Sequence, residues 1–228
     1  MTGGGVLKVL FISKDRDDVY IKRAITFVKA NFKDSTIVLA KPGQTIADEV
    51  VKWQGDLLIS YLCPWVLPKA VLQSANYASI NFHPATPDYP GTGCTNFAIY
   101  DGVKEYGAMC HHMSCKVDSG RVIAVKRFPV LPEDSVYTLT QKCYVAMSEL
   151  FFEIMDMILK GKELPESKEH WTRKPYTRAQ LDALKKLDVS MSVDEIRRRV
   201  KATTYPGTPG AYFEIGDMKF EYVPQHND

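Results

Sequence analysis

Asn81 and His83 stand two residues apart in Ile80-Asn81-Phe82-His83-Pro84, and Asp118 follows in Val117-Asp118-Ser119-Gly120. An amide donor, an imidazole and a carboxylate are the parts needed to move an acyl group onto an amine. The developing oxyanion must be met by a donor, and protons must leave the attacking nitrogen and reach the departing one. Alone, Asn81 reads as a strand-end turn residue and Asp118 as the turn former of Asp118-Ser119-Gly120. The three in one pattern suggest chemistry.

For these groups to meet, strand ends must carry them. Residues 6–13 are an apolar run of strand length, and 19–31 place Ile21, Ala24, Ile25 and Val28 at helical spacing. The alternation continues with a strand at 35–40, a helix at 46–53, a strand at 56–62, a helix at 68–75 and a strand at 78–82. Nearly continuous apolar strands between helices predict a mostly parallel α/β sheet covered on both faces. In such sheets ligands sit beyond the carboxyl ends of the strands, where Asn81 and His83 lie on one strand and residues 61–65 on its predecessor. Further on, 84–94 reads as a Pro- and Gly-rich loop, 95–101 as a helix, 106–113 and 121–129 as strands flanking Asp118, and 136–159 as a long helix. Residues 163–176 read as a polar linker over the surface. Helices are expected at 178–187 and 193–202, with Ser192 as N-cap and Glu195 three residues on, then a hairpin of 211–215 and 219–223 around Gly216-Asp217. The expected division is a catalytic domain at 1–162 and a C-terminal segment of linker, helices and hairpin at 163–228.

At 228 residues the chain can bury a substantial core without staples. Lys and Arg number 29 against 27 Asp and Glu, a net charge of +2, so no single-sign field favours nucleic acid or an anionic membrane. Five cysteines, an odd set without a CxxC pair, and an N-terminus without a secretory pattern suggest reduced thiols and a cytoplasmic location. The longest apolar runs fall far short of the roughly 20 residues that span a bilayer.

Other residues invite bland readings. Cys110, His111, His112 and Cys115 could suggest zinc, but adjacent strand residues point to opposite faces, so no metal is expected and His111 should hydrogen-bond beneath the site. Gly91 and Gly93 lack the third glycine of a dinucleotide fingerprint, Asn96 standing in its place, and read as a tight loop approached by substrate. Arg197, Arg198 and Arg199 read as a solvated helix face, and Tyr205, Tyr212, Phe213, Phe220 and Tyr222 as core or dimer packing of the tail. Gly3, Gly4 and Gly5 read as a flexible terminus.

Residues 56–130 resemble the catalytic domain of 10-formyltetrahydrofolate-dependent formyltransferases. The likeness lies in ordered motifs: Leu58-Ile59-Ser60-Tyr61 with Leu67-Pro68-Lys69-Ala70-Val71-Leu72, then Ile80-Asn81-Phe82-His83-Pro84, then Gly107 to Ile123 containing His111 and Val117-Asp118-Ser119-Gly120. This resemblance implies a Rossmann-like sheet, Asn81, His83 and Asp118 as the catalytic set, and 10-formyltetrahydrofolate as formyl donor. It implies a folate pocket lined by Tyr61, Cys63, Trp65, Leu67 and Val117. The acceptor is then expected along the loop bearing Tyr89, Gly91 and Gly93. Methionyl-tRNA formyltransferases carry a further C-terminal barrel and an arginine beside the loop glycine, whereas residues 87–93 here contain none. The helix and hairpin at 200–220 are similar to the ending of sugar N-formyltransferases, so a nucleotide-linked (dTDP- or UDP-) amino sugar is the expected acceptor. Glycinamide ribonucleotide as acceptor, hydrolysis of the formylfolate by water, and a binding module without turnover are the alternatives. Whether His83 acts as base or as oxyanion donor is open at this level, and a homodimer through the apolar tail is expected.

Overall fold

The computed structural model describes residues 7–223, so Gly3, Gly4, Gly5 and Val6 lie outside the described residues. Its elements run β1 (Lys8–Lys14), α1 (Val19–Asn31), β2 (Asp34–Ala40), α2 (Asp48–Val51), β3 (Gly55–Tyr61), α3 (Lys69–Leu72), β4 (Ala75–His83), α4 (Cys94–Asp101), β5 (Glu105–His112) and β6 (Val122–Pro129). They continue with α5 (Val136–Leu159), α6 (Arg178–Lys185), α7 (Val193–Thr203), β7 (Tyr212–Ile215) and β8 (Met218–Glu221). The main sheet has the order β2-β1-β3-β4-β5-β6, and β7 with β8 forms the separate hairpin. The strands from β2 to β4 pair in parallel, while β4 with β5 and β5 with β6 are antiparallel. The expected α/β, Rossmann-like, mostly parallel sheet with helices on both faces is present, and the antiparallel pairs form one side of it.

Local chemistry explains the helices. The Asp18 carboxylate accepts from the Tyr20 and Ile21 amides at 2.9 and 3.0 Å, capping α1, which then buries Ile21, Ala24 and Val28. Ser135 and Thr138 form a reciprocal capping box at the start of α5, whose inner stripe includes Leu139, Cys143, Met147, Leu150, Phe151 and Ile154. The helices α2 and α3 are single turns, shorter than the spacing predicts. Each lacks a side-chain cap, and α3 starts directly after Pro68.

Two apolar layers sandwich the sheet. Val9 and Phe11 of β1, Leu57, Ile59 and Tyr61 of β3, and Ile80 and Phe82 of β4 pack with α1 and α5. Leu10, Ile12 and Leu58 face the other way, against Val50 of α2, Val71 of α3 and Leu67 just before α3. Among the described residues no helix is long and apolar enough to cross a membrane. In the hairpin, Phe220 is 50% exposed, so of the expected core or dimer packing of the tail, packing in the core of this chain does not extend to it.

Phe151 joins the strands to the helical layer, its ring meeting Phe11, Phe27, Tyr61, Phe82 and Phe152 edge-on at centroid distances of 5.2 to 6.2 Å. Phe151→Ala is expected to lower unfolding stability by about 3–5 kcal/mol, read as a shift in the midpoint of a denaturant titration with unchanged slope.

Candidate active site

The alternation that sends Ile80 and Phe82 into the α5 layer turns Asn81 and His83 to the opposite face. There they border a cleft of about 560 Å³ at the carboxyl ends of β3 and β4. Across the antiparallel pair Asn81 faces His111, so β5 brings a second imidazole to the same point. The turn after β5 contributes Asp118, which lines the cleft with Asn81, His83 and His111. The expected catalytic set therefore meets in one place.

Distances define the cluster. Asp118 Oδ2 lies 3.7 Å from His83 Nε2, and Oδ1 lies 3.7 Å from His111 Nε2, with the Asp118 and His83 side chains each 9% exposed. The Gly91 amide donates to Asp118 Oδ2 at 2.8 Å. His83 Nε2 is also 3.4 Å from the Tyr89 carbonyl oxygen and 3.8 Å from Cys94 Sγ. Ser60 Oγ donates to Asn81 Oδ1 at 2.7 Å, and Asn81 Nδ2 sits 3.0 Å from His111 Nε2. Asp118 holds a left-handed backbone, φ 42°, which aspartate tolerates better than most residues. The turn closes so tightly that a Cβ on Gly120 would lie 1.7 Å from the His112 carbonyl oxygen.

The electrostatics divide the two imidazoles. Burial pushes His83 down, but the Asp118 carboxylate and then Cys94 and the Tyr89 carbonyl outweigh it and lift the group to about 9. Burial pulls His111 the other way, to about 4, against the attraction of Asp118 and with the repulsion of His83. At neutral pH the cluster holds an imidazolium at His83 and a neutral ring at His111.

Cys63, Trp65, Leu67 and Val117 all line the cleft, together with Leu62 and Met113. Burial raises the Cys63 thiol to about 11. Tyr61 is a correction. It shares the parity of Leu57 and Ile59, so its ring is fully buried in the α5 layer and stacks 6.0 Å from Phe11, away from the cleft. Of the three loop residues expected to meet the acceptor, Gly91 alone lines the cleft. The Tyr89 ring packs 5.7 Å from Tyr106 and its hydroxyl donates to Asp101 at 2.9 Å, so only its carbonyl reaches His83. Gly93 is the N-cap of α4 and lies against Leu181 of α6.

The 163–176 stretch departs from the expected surface linker. Tyr176 is buried, stacked 3.6 Å from Phe97, and its backbone bridges the loop: Tyr176 N–H donates to the Pro90 carbonyl and Thr92 N–H to the Tyr176 carbonyl, both at 2.9 Å. Pro175, Tyr176 and Thr177 thereby form cleft wall. Trp171 donates from Nε1 to the Gly120 carbonyl at 2.7 Å and sets its ring edge-on to His111 at 5.0 Å. Sequence reading passed over Trp171, Cys94 and Tyr176; large aromatics in an otherwise polar stretch were the available signal for two of them. His112 has its Nε2 3.4 Å from an Arg121 guanidinium nitrogen, and no group of His, Cys, Asp and Glu suited to a metal occurs among the described residues.

The family model described as formyl transferase matches residues 14–155. The chain belongs to that family. A methionyl-tRNA formyltransferase of Listeria monocytogenes is 29% identical over 116 residues, 50% of this chain and 37% of that protein. This chain spans about half, or less, of the length of the curated relatives it matches. Among solved structures, a 4-N formyltransferase from Francisella tularensis aligns with TM-score 0.78 at 18% identity, covering 97% of this chain and 98% of that one. An N-formyltransferase from Helicobacter canadensis, in complex with folinic acid and dTDP-3-aminofucose, aligns with TM-score 0.71 at 12% identity, covering 92% and 85%. At these identities the structural likenesses establish the formyl transferase fold.

The strap at Gly91 is testable. With φ 89°, a Cβ there would lie 2.3 Å from the Tyr176 carbonyl oxygen. Gly91→Ala is expected to displace residues 171–177, lowering the melting temperature and opening that segment to limited proteolysis, as read by mass spectrometry of the fragments.

Proposed function

We propose that this protein transfers a formyl group from 10-formyltetrahydrofolate to the amino group of a nucleotide-linked amino sugar. The observation that carries the transfer reaction is the convergence of Asn81, His83 and Asp118 on one cleft wall in a member of the formyl transferase family. The sugar acceptor is supported by the near end-to-end alignment with N-formyltransferases, including the one in complex with folinic acid and dTDP-3-aminofucose. The methionyl-tRNA formyltransferases of Listeria monocytogenes and Lactobacillus johnsonii align over 37% and 54% of their length. Cys63, Trp65, Leu67 and Met113 give the cleft apolar lining suited to a flat heterocycle, and Gly91, Thr92, Pro175 and Thr177 add lining suited to the acceptor.

The amine nitrogen bonds to the formyl carbon, the formyl oxygen takes the electron pair, and collapse expels the folate nitrogen with a proton. Asn81 donates an amide N–H to that oxygen. His83, as an imidazolium, brings positive charge to the same oxyanion, which makes it a donor rather than a base. Asp118, within 3.7 Å of His83, holds that proton in place, receives the proton lost by the amine and delivers it to the departing folate nitrogen.

Incubation with formyl donor and a panel of dTDP- and UDP-amino sugars, glycinamide ribonucleotide, methionyl-tRNA or water alone tests the reading. Formylated product is expected only with a sugar amine; formate release without acceptor, or product only with another amine, overturns the acceptor. Asn81→Ala and His83→Gln are each expected to lower kcat by about 10²- to 10³-fold, the loss typical of one oxyanion donor.

The pH profile supplies an independent check. His83 should keep its proton until about pH 9, so kcat/KM falls above that value. Asp118→Asn removes the carboxylate that lifts His83 and should move this basic limb down toward 6.5. The sign for stability is the same: the interaction is fully present below about 6.5 and lost as pH rises through about 9. A limb unmoved in Asp118→Asn would assign it to another group.

A further inference from the structure

Asn81 serves as an oxyanion donor only while its Nδ2, not its Oδ1, is offered to the formyl oxygen. An amide has no intrinsic preference between the two orientations, and the atoms around it decide. His111 Nδ1 lies 2.8 Å from the carbonyl oxygen of His112, a group that only accepts, so Nδ1 carries the ring proton. Burial, opposed by Asp118 and aided by His83, holds the ring neutral, and its Nε2 is left as a bare lone pair. That lone pair faces Asn81 Nδ2 at 3.0 Å and can only accept from it. On the other side of the amide, Ser60 Oγ donates to Asn81 Oδ1 at 2.7 Å.

We propose that Ser60 and His111 are positioning residues: together they lock the Asn81 amide with its oxygen turned away and one Nδ2–H free for the formyl oxygen. A flipped amide would set Oδ1 against the His111 lone pair and forfeit that hydrogen bond, leaving a buried acceptor unmet. The fold builds both halves of the lock from sheet register. Ser60 is the β3 partner of Asn81 in the parallel pair, and His111 is its β5 partner in the antiparallel pair. The anchors stand on either side of the strand that carries the amide. The chain from the His112 carbonyl through His111 and Asn81 to Ser60 has every donor and acceptor assigned in one direction.

The proposal rests on the formyl-transfer reading, and its test separates the two. In wild-type protein labelled with ¹⁵N-histidine, correlation spectra at pH 7 are expected to show His111 protonated at Nδ1 and bare at Nε2. An Nε2-protonated or doubly protonated His111 overturns the lock. In the formyl-transfer assay, His111→Leu should lower kcat by about 10²-fold, comparable to loss of one oxyanion donor, while KM for the formyl donor stays at the wild-type value. His111→Gln, whose side-chain oxygen can accept from Asn81, should recover most of that loss, and Ser60→Ala should lower kcat with KM unchanged. Wild-type kcat in His111→Leu, or a Gln variant no better than Leu, overturns the role. Should His111→Leu fail to fold, the tautomer in the intact protein decides. Wild-type protein that formylates no acceptor yet shows the stated tautomer would end the functional reading and leave the lock standing.

Discussion

The site depends on one constraint, the parity of β4 at the point where the sheet changes from parallel to antiparallel pairing. Ile80 and Phe82 are committed to the α5 layer by burial, and each large side chain is worth roughly 1.5–3 kcal/mol there. A shift of one residue would place both in the cleft and drive Asn81 and His83 into an apolar layer. The register that seats the core therefore also aims the chemistry. On the antiparallel side, the register of β5 places His111 opposite Asn81.

Burying a carboxylate between two imidazoles is costly, and the structure offsets that cost in a way that separates the rings. The Gly91 amide donates to the Asp118 carboxylate, and His83 stands beside it as a cation. Having one cation, the cluster does not hold a second, and His111 remains neutral. A symmetric arrangement would give two equivalent imidazoles with no assigned roles. Here the neighbours decide: His83 has carbonyl and thiol oxygen and sulfur atoms around Nε2, while His111 spends its one proton on a backbone carbonyl. The pair as a whole is a source of positive charge on one side and a fixed acceptor on the other.

Much of this was legible in the chain. The helices at 19–31 and 136–159 follow from periodic apolar stripes between clear caps, and both match to the residue. Asn81, His83 and Asp118 could be grouped because the resemblance to formyltransferases implies them as one set; the residue types alone left turn readings open for Asn81 and Asp118. What sequence could not resolve was direction. Tyr61 was expected in the pocket because it ends β3, but its neighbours Ser60 and Leu62 line the cleft while Tyr61 itself points to the core. Tyr89 fails for a similar reason, its ring being claimed by Tyr106 and Asp101. The single-turn α2 and α3 were overestimated because four residues seated on Val50 and Val71 satisfy the thin layer beneath them. Long-range contacts such as Trp171 to Gly120 have no local pattern at all.

That last contact shows how the later part of the chain enters the chemistry. The two loops that meet at Asp118 are both irregular: one carries Gly91, whose amide holds the carboxylate, and the other carries Asp118 itself in a strained left-handed conformation. Neither has a strand or helix to fix it. Residues 171–176 supply what is missing, bridging Pro90 and Thr92 at one end through Tyr176 and pinning Gly120 at the other through Trp171. Because a loop position is only as well defined as its attachments, the distance from Asp118 to His83 is set by this strap as much as by the sheet. The same strap presents Pro175 and Thr177 to the cleft, so a change in its sequence that reshapes this wall will also move the Asp118 carboxylate. The shape of the cleft wall and the position of Asp118 are thereby coupled through a segment that contains no strand of the main sheet.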